Sequence, residues 1–239
     1  NLIDRYLVVC HHADVKPLLV LNKADLLAIE DYAFTKNLLN EYQSLGYEAV
    51  LTAAPCPENI LLNPTQSNSK QAIDSAKLTD IEPLQQQAEL GLTDLQQQIK
   101  DKLVIFAGQS GVGKSTLVNA LLPNSDQSVN VISTNSKLGQ HTTTTSRLLP
   151  FNPEDLTQGG IVDTPGIREY GIWHLTPDDI IAGFVELYPL AGDCQFRDCK
   201  HTHNSKGCAL WEAVAEGKVM QRRVESLVTL QAEADTPTY

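Results

Sequence analysis

"GQSGVGKS", residues 108–115, has the spacing G-x-x-x-x-G-K-[ST]. The apolar run "KLVIFAG" precedes it and "STLVNALL" follows. Those are the strand and helix that a phosphate-binding loop needs on its two sides. Gly108, Gly111 and Gly113 let backbone approach an anion closely. The N–H groups of Gln109, Ser110, Val112 and the start of the next helix, through Thr116, then face phosphate. Lys114 reaches the β- and γ-phosphates and so belongs with the catalytic groups, and the Ser115 hydroxyl is a Mg²⁺ ligand. The competing reading is a Gly-rich turn with a surface lysine, which the strand–loop–helix context disfavours.

A second acidic motif supports the first. "DTPG", residues 163–166, ends the apolar stretch "GGIV" about fifty residues further on. Asp163 is placed to hold Mg²⁺ and the Gly166 N–H to meet the γ-phosphate. Alone it reads as an ordinary turn.

Upstream, "LVLNKADLL" at 19–27 puts Asn22, Lys23 and Asp25 at another strand end. A carboxylate can accept both N1–H and the exocyclic amine of guanine, a donor pair that adenine lacks. Asp25 takes that role, Asn22 tethers neighbouring loops and the base edge, and the Lys23 stem lies along the base. A site built around such bonds rejects a base without them. "TAA" at 52–54 offers the Ala53 N–H to the guanine oxygen. The bland reading of "NKAD" is a capped strand-to-helix turn.

Ordinary GTPases place the phosphate loop first, then the switch threonine, DxxG, NKxD and a small-residue loop. Here the order is NKAD, TAA, GQSGVGKS, the threonine-rich loop, DTPG, which is a circular permutation. Strand and helix signals alternate throughout, so the expected fold is α/β, a permuted Ras-like domain with a mostly parallel sheet. Ligands of such sheets bind beyond the carboxyl ends of the strands, where these motifs lie.

The 239-residue chain has 42% hydrophobic residues and a formal charge of −11. It is long enough for one large domain or a medium and a small one. Its acidity argues against a general nucleic-acid binder. No apolar run approaches the roughly 20 residues of a membrane span, and no signal peptide is evident, so a cytoplasmic address and no membrane partner are expected. Residues 55–80, rich in Pro, Asn, Ser and Gln, read as a mobile surface insertion. Arg197, Lys200, Lys206, Lys218, Arg222 and Arg223 gather near the C-terminus and read either as a solvated basic face or as contacts for nucleic-acid phosphates.

That region also holds "CQFRDCKHTHNSKGC". Cys194, Cys199, His201 and Cys208 offer three thiolates and an imidazole, the donors of a closed structural zinc site. His203 is a competing ligand. The helices that follow should bury Leu210, Val214, Val224, Leu227 and Leu230.

With "NKAD", "GQSGVGKSTLVNAL", "GQHTTTTSR", "DTPGIREYGIWHL" and "CQFRDCKH" in view, the sequence resembles the circularly permuted GTPases of small-ribosomal-subunit biogenesis, the RsgA (YjeQ/YloQ) family. The resemblance extends over the chain apart from the insertion near 55–80. It implies one structural zinc on Cys194, Cys199, His201 and Cys208, although the gap from His201 to Cys208 is one residue longer than the family pattern. It also implies an RNA-binding OB-type barrel and a strand ahead of residue 2. Neither lies in this sequence, which opens on Asn1, so the chain is expected to be cut inside the GTPase domain.

The expected domains are 1–172, the permuted GTPase domain, and 173–239, a zinc-knuckle and helical domain. "GQHTTTTSR" fits the first switch, with one of Thr142–Thr145, taken as Thr143, on Mg²⁺. Ile167 stands where a water-orienting Gln is common, which points to slow intrinsic hydrolysis. His141 is the candidate to position the water. The resemblance implies a monomer that binds GTP and GDP with Mg²⁺, acts late on the small (30S) ribosomal subunit and its rRNA, and is released by subunit-stimulated hydrolysis. Two other classes stay open: a GTP switch with a non-ribosomal partner, and a zinc RNA-binding module with a structural nucleotide site.

Overall fold

The computed structural model describes residues 1–27, 29–53, 82–122, 147–163 and 171–235. These form two compact units, one built on strands and one on helices.

The first unit covers 18–43 and 48–169. Strands β1 (Leu18–Leu21) and β2 (Glu48–Leu51) pair in parallel, with Leu18 opposite Glu48 and Leu21 opposite Leu51. Between them runs helix α2 (Ile29–Ser44), and Gly46 at φ 89° turns the chain after it. A left-handed residue just past a helix end is where glycine costs least. Helix α3 (Glu82–Ile99) follows and packs on β2. At Gly91 the two backbones are so close that a Cβ would run into the Leu51 carbonyl.

Strand β3 (Leu103–Val104) leads to the Gly-rich loop and helix α4 (Lys114–Leu121). Strands β4 (Arg147–Pro150) and β5 (Gly160–Asp163) complete a second sheet of order β3-β5-β4. Its β3–β5 pair is parallel and its β4–β5 pair antiparallel. Val50, Leu95, Ile99, Leu117, Leu121, Leu122 and Ile161 form one core shared by the two sheets and the two helices.

The second unit comprises 1–17, 44–47 and 170–239. Its helices are α1 (Leu2–His12), α5 (Pro177–Ala182), α6 (Tyr188–Ala191), α7 (Ala209–Ala215) and α8 (Gln221–Ala234). Helix α5 starts on a capping box: the Thr176 hydroxyl accepts from the Asp179 N–H, and the Asp179 carboxylate accepts from the Thr176 N–H. Val8, Ile172, Leu175, Ile180, Phe184, Leu187, Leu210, Val224, Leu227 and Leu230 are buried together.

Several sequence expectations meet a different local structure. Helix α1, placed by sequence in a domain over 1–172, packs on α5 and α8, so the compact units divide the chain differently from a cut at 172/173. The strand read over 102–108 is paired, among the described residues, only at Leu103 and Val104, opposite Gly160 and Ile161 of β5. Helix α3 begins well before "TDLQQQIKD", and β4 forms over a stretch that lacks an alternating strand pattern. The expected basic face is also reduced. Arg223 is fully buried, where it bonds Asp4 and Glu186, and Lys218 is paired with Glu216.

Candidate functional site

The Gly-rich loop runs from the end of β3 into the first turn of α4. Gly108, Gly111 and Gly113 take φ values of 149°, 83° and 93°. At Gly113 glycine is required twice, since its φ is left-handed and a Cβ would collide with Asn22 Nδ2. Lys114 Nζ donates to the carbonyls of Gly108, at 2.6 Å, and Gln109, at 2.7 Å. The ammonium is thus curled over the loop, where an anion can exchange with those carbonyls. Ser115 is exposed in the first turn of α4 and Thr116 is half-buried behind it. Asp163, also exposed, ends β5, the strand hydrogen-bonded beside β3. Parallel pairing therefore puts Ser115 and Asp163 at the same sheet edge, both offering oxygen donors suited to Mg²⁺.

The "NKAD" segment is tied to this loop across some ninety residues of sequence. Asn22 Nδ2 donates to the Val112 carbonyl at 3.0 Å, and Lys23 Nζ donates to the Gly111 carbonyl at 2.6 Å. Lys23 is left-handed, at φ 65°, an uncommon conformation for a non-glycine residue. It swings the chain into a short turn over Ala24–Leu26 that leaves the Asp25 carboxylate exposed.

Thr52 locks the other side. Its hydroxyl donates to Asn22 Oδ1 at 3.1 Å, its carbonyl accepts from the Ala24 N–H, and its own N–H donates to Leu21. Sequence reading had valued this tripeptide only for Ala53, which follows partly buried. The available signal was a small hydroxyl residue at the end of the strand paired with β1. A cavity of about 530 Å³, lined by Gln96, Ile99, Lys100, Leu121, Phe151 and Gln158 among others, contains none of these motif residues. His141, Thr142–Thr145, Gly166, Ile167 and the 55–80 insertion lie outside the described residues.

In the helical unit, ligand atoms of Cys194, Cys199, His201 and Cys208 all lie within 4.8 Å of one another. Cys194 Sγ is 4.0 Å from Cys208 Sγ, and His201 Nδ1 is 3.7 and 3.6 Å from those two sulfurs. Tetrahedral zinc with ordinary bond lengths needs roughly 3.8 Å between sulfurs and roughly 3.6 Å from sulfur to nitrogen. The donor set therefore fits zinc. Its chemistry fits too. Burial raises the Cys194 thiol, pushes Cys208 up to about 11, and lowers His201. A neutral imidazole is the ligating form, and thiols held neutral by burial need a bound cation to ionise. His203 does not join the group; its ring tilts against Trp211 at 4.7 Å, while Trp211 Nε1 donates to the His201 carbonyl at 2.8 Å.

Asp4, Glu186 and Arg223 form a network that sequence reasoning missed. Arg223 bonds Asp4 Oδ1 at 2.5 Å and both Glu186 oxygens, at 2.6 and 3.0 Å, and lies 4.5 Å from the Phe184 ring centroid. Burial opposes its charge, but the Glu186 hydrogen bonds and the Asp4 charge outweigh that and raise its pKa. The readable signal was helical spacing, since Arg223 stands four and seven residues before the buried Leu227 and Leu230.

Comparison with known proteins agrees with this geometry. The sequence profile described as RsgA GTPase matches residues 1–65 and 58–173. A Yersinia enterocolitica protein named small ribosomal subunit biogenesis GTPase RsgA is 42% identical over 228 residues, covering 95% of this chain and 55% of that protein. A Vibrio parahaemolyticus protein, named small ribosomal subunit biogenesis GTPase RsgA 1, is also 42% identical, with 95% and 54% covered. The chain thus spans about half the length of these curated relatives. Among solved structures, YjeQ from Thermotoga maritima superposes with a TM-score of 0.65 at 27% identity, over 99% of this chain and 66% of the other. YloQ, described as a circularly permuted GTPase, gives 0.60 at 26% identity, over 100% and 64%. The protein belongs to the RsgA GTPase family.

Proposed function

We propose that this chain is the nucleotide-handling part of a GTP-hydrolysing assembly factor that acts late in maturation of the small (30S) ribosomal subunit. The subunit stimulates hydrolysis, and hydrolysis is coupled to release. The observation that carries the reading is the link from Asn22 and Lys23 to the carbonyls of Val112 and Gly111. It joins a guanine-selecting turn to a phosphate loop in permuted order, in a chain whose relatives are named for small-subunit biogenesis.

In this reading Asp25, Asn22, Lys23 and Ala53 hold the base. Residues Gly108 through Thr116 hold the phosphates, with Gly166 on the γ-phosphate. Ser115, Asp163 and Thr143 hold Mg²⁺, and His141 positions the hydrolytic water. Zinc on Cys194, Cys199, His201 and Cys208 supports the helical unit and has no open coordination position for catalysis. The factor works as a cytoplasmic monomer, with 1–172 and 173–239 as its functional domains.

The test is GTP turnover by the protein with and without purified small subunits, with ATP as control. Stimulated turnover of GTP alone is expected. Selective GTP binding without stimulation would assign the switch to another partner. Negligible turnover with any partner would leave a structural nucleotide site.

A further inference from the structure

The strand-built unit has a second concavity at the end opposite its nucleotide motifs. Strands β3 and β5 are parallel, so their carboxyl ends lead into the Gly-rich loop and Asp163 while their amino ends lie together at the other edge. β4 is antiparallel to β5, which brings Phe151 to that same edge, its N–H donating to the Gly159 carbonyl at 3.2 Å. The cavity of about 530 Å³ opens there. Small-molecule sites fall in the range of roughly 300–1,000 Å³.

The walls are fixed against each other. The turn from α3 to β3 is left-handed at Asp101, φ 58°, and the Lys102 N–H donates to the Ile99 carbonyl at 3.1 Å. The segment before β5 is clamped to that turn. Gly160 N–H donates to the Lys102 carbonyl at 3.0 Å, and a Cβ on Gly159 would run into the same carbonyl. Asp155 then orients a polar group on this wall. One of its oxygens accepts from the Thr157 N–H and hydroxyl, and the other accepts from Gln158 Nε2 at 3.0 Å. The Gln158 carboxamide is therefore held, and its Oε1 and second N–H have no partner among the described residues.

Helix α3 adds Gln96, Gln97 and Lys100 to the lining, and their side chains have no hydrogen-bond or ionic partner among the described residues. Beneath these groups the lining is apolar, with Ile99 and Leu121 buried and Phe151 half-buried. Lys100 is offset by Asp101, so the cavity carries no net charge and does not favour a phosphate.

Carboxamides above an apolar surface match a flat ring that carries a donor beside an acceptor. A glutamine amide pairs with the N6–H and N7 edge of adenine through two bonds at once. Pyrimidines cover less of the apolar surface, and an extended peptide brings amides but no flat ring for Phe151. We propose that this cavity binds the adenine ring of an uncharged nucleoside, at a site separate from the guanine nucleotide. The ring lies against Phe151 and Leu121, with its N6/N7 edge on Gln158. Asp25, which selects guanine, has no part in it.

The test uses the whole chain saturated with GDP and Mg²⁺, which closes the guanine site to adenosine. Titration calorimetry with adenosine should show one site per chain, and uridine and guanosine should bind at least about tenfold more weakly. 7-Deazaadenosine, which lacks the N7 acceptor, should lose about fivefold, the value of one hydrogen bond. Adenosine monophosphate should bind no more tightly than adenosine. Gln158→Met should weaken adenosine about tenfold and leave GDP affinity unchanged. GDP binding is read in the same titrations, so a failure of the guanine site shows itself separately.

No binding of adenosine, its displacement by GDP, equal binding of uridine, or wild-type affinity in Gln158→Met would each overturn the proposal. A second measurement avoids variants: photolabelling of the wild-type, GDP-bound chain with 8-azidoadenosine should mark the peptides bearing Gln97 or Phe151. Labelling of the "NKAD" segment instead would overturn the assignment.

Discussion

Replacing Asn22 by Ala isolates the coupling between base selection and phosphate binding. The change removes the bond to the Val112 carbonyl at 3.0 Å and the acceptor of the Thr52 hydroxyl at 3.1 Å. Each hydrogen bond contributes about 1 kcal/mol net, and Thr52, fully buried, is left with a hydroxyl short of an acceptor, costing about 1–3 kcal/mol. The total is roughly 3 kcal/mol. Both bonds pre-form the empty loop rather than touch a γ-phosphate, so binding to the variant must order the loop as well, and the loss should fall on GDP and GTP alike, raising each Kd by at most about 100-fold. Titration with fluorescent analogues of the two nucleotides measures it. Gly113→Ala should act in the same direction, because its Cβ pushes on the same amide. Unchanged affinity in Asn22→Ala would show that the tether is incidental. A loss confined to GTP would mean that Asn22 acts at the γ-phosphate, against the geometry.

Asp25→Asn should shift preference from GTP toward xanthosine triphosphate, whose base presents an acceptor where guanine has its amine; an unaltered ratio in competition binding would remove Asp25 from the base site. Arg223→Met removes the buried guanidinium that Asp4, 1% exposed, shares with Glu186, and should cost about 3–5 kcal/mol in urea denaturation. Adding Asp4→Asn should recover part of that loss, and a loss under about 1 kcal/mol would discount the network. Zinc affinity should rise with pH. The Cys194 and Cys208 pKa values are raised in the metal-free chain, so each thiol must release a proton to bind, and lowering pH favours the protonated, metal-free form. Competition with a colorimetric chelator at several pH values should show the slope, and a pH-independent affinity would exclude thiolate ligation.

The nucleotide motifs were legible because each is a short local pattern whose residue types answer to one chemistry. "NKAD" and "GQSGVGKS" needed no knowledge of their distance in space, and Asn22 and Lys23 reach the second motif where the permuted order requires. The zinc donors were legible for the same reason. What sequence concealed was set by tertiary partners. "RLLP" at 147–150 lacks the alternation of a half-buried strand and ends in proline, which suits β4 because it is an edge strand among the described residues. The run "KLVIFAG" is apolar after Lys102, yet its pairing with β5 stops at Val104 although β5 continues to Asp163. Helix α1 has a buried face in either domain assignment, and only its contacts with α5 and α8 place it. Arg223 looked like surface charge because two carboxylates, one of them 219 residues away, are invisible to local reading.

The Trp211 bond to the His201 carbonyl gives the knuckle its own optical gauge. The chain has two tryptophans. Trp173, 70% exposed, emits as an indole in water, whereas Trp211 is half-buried and anchored one bond away from a metal ligand. With zinc on the four donors, stripping it should free the His201 segment and let water reach that second indole. Its emission should move to longer wavelength while the contribution of Trp173 stays put, so metal occupancy can be followed in real time, label-free, during turnover.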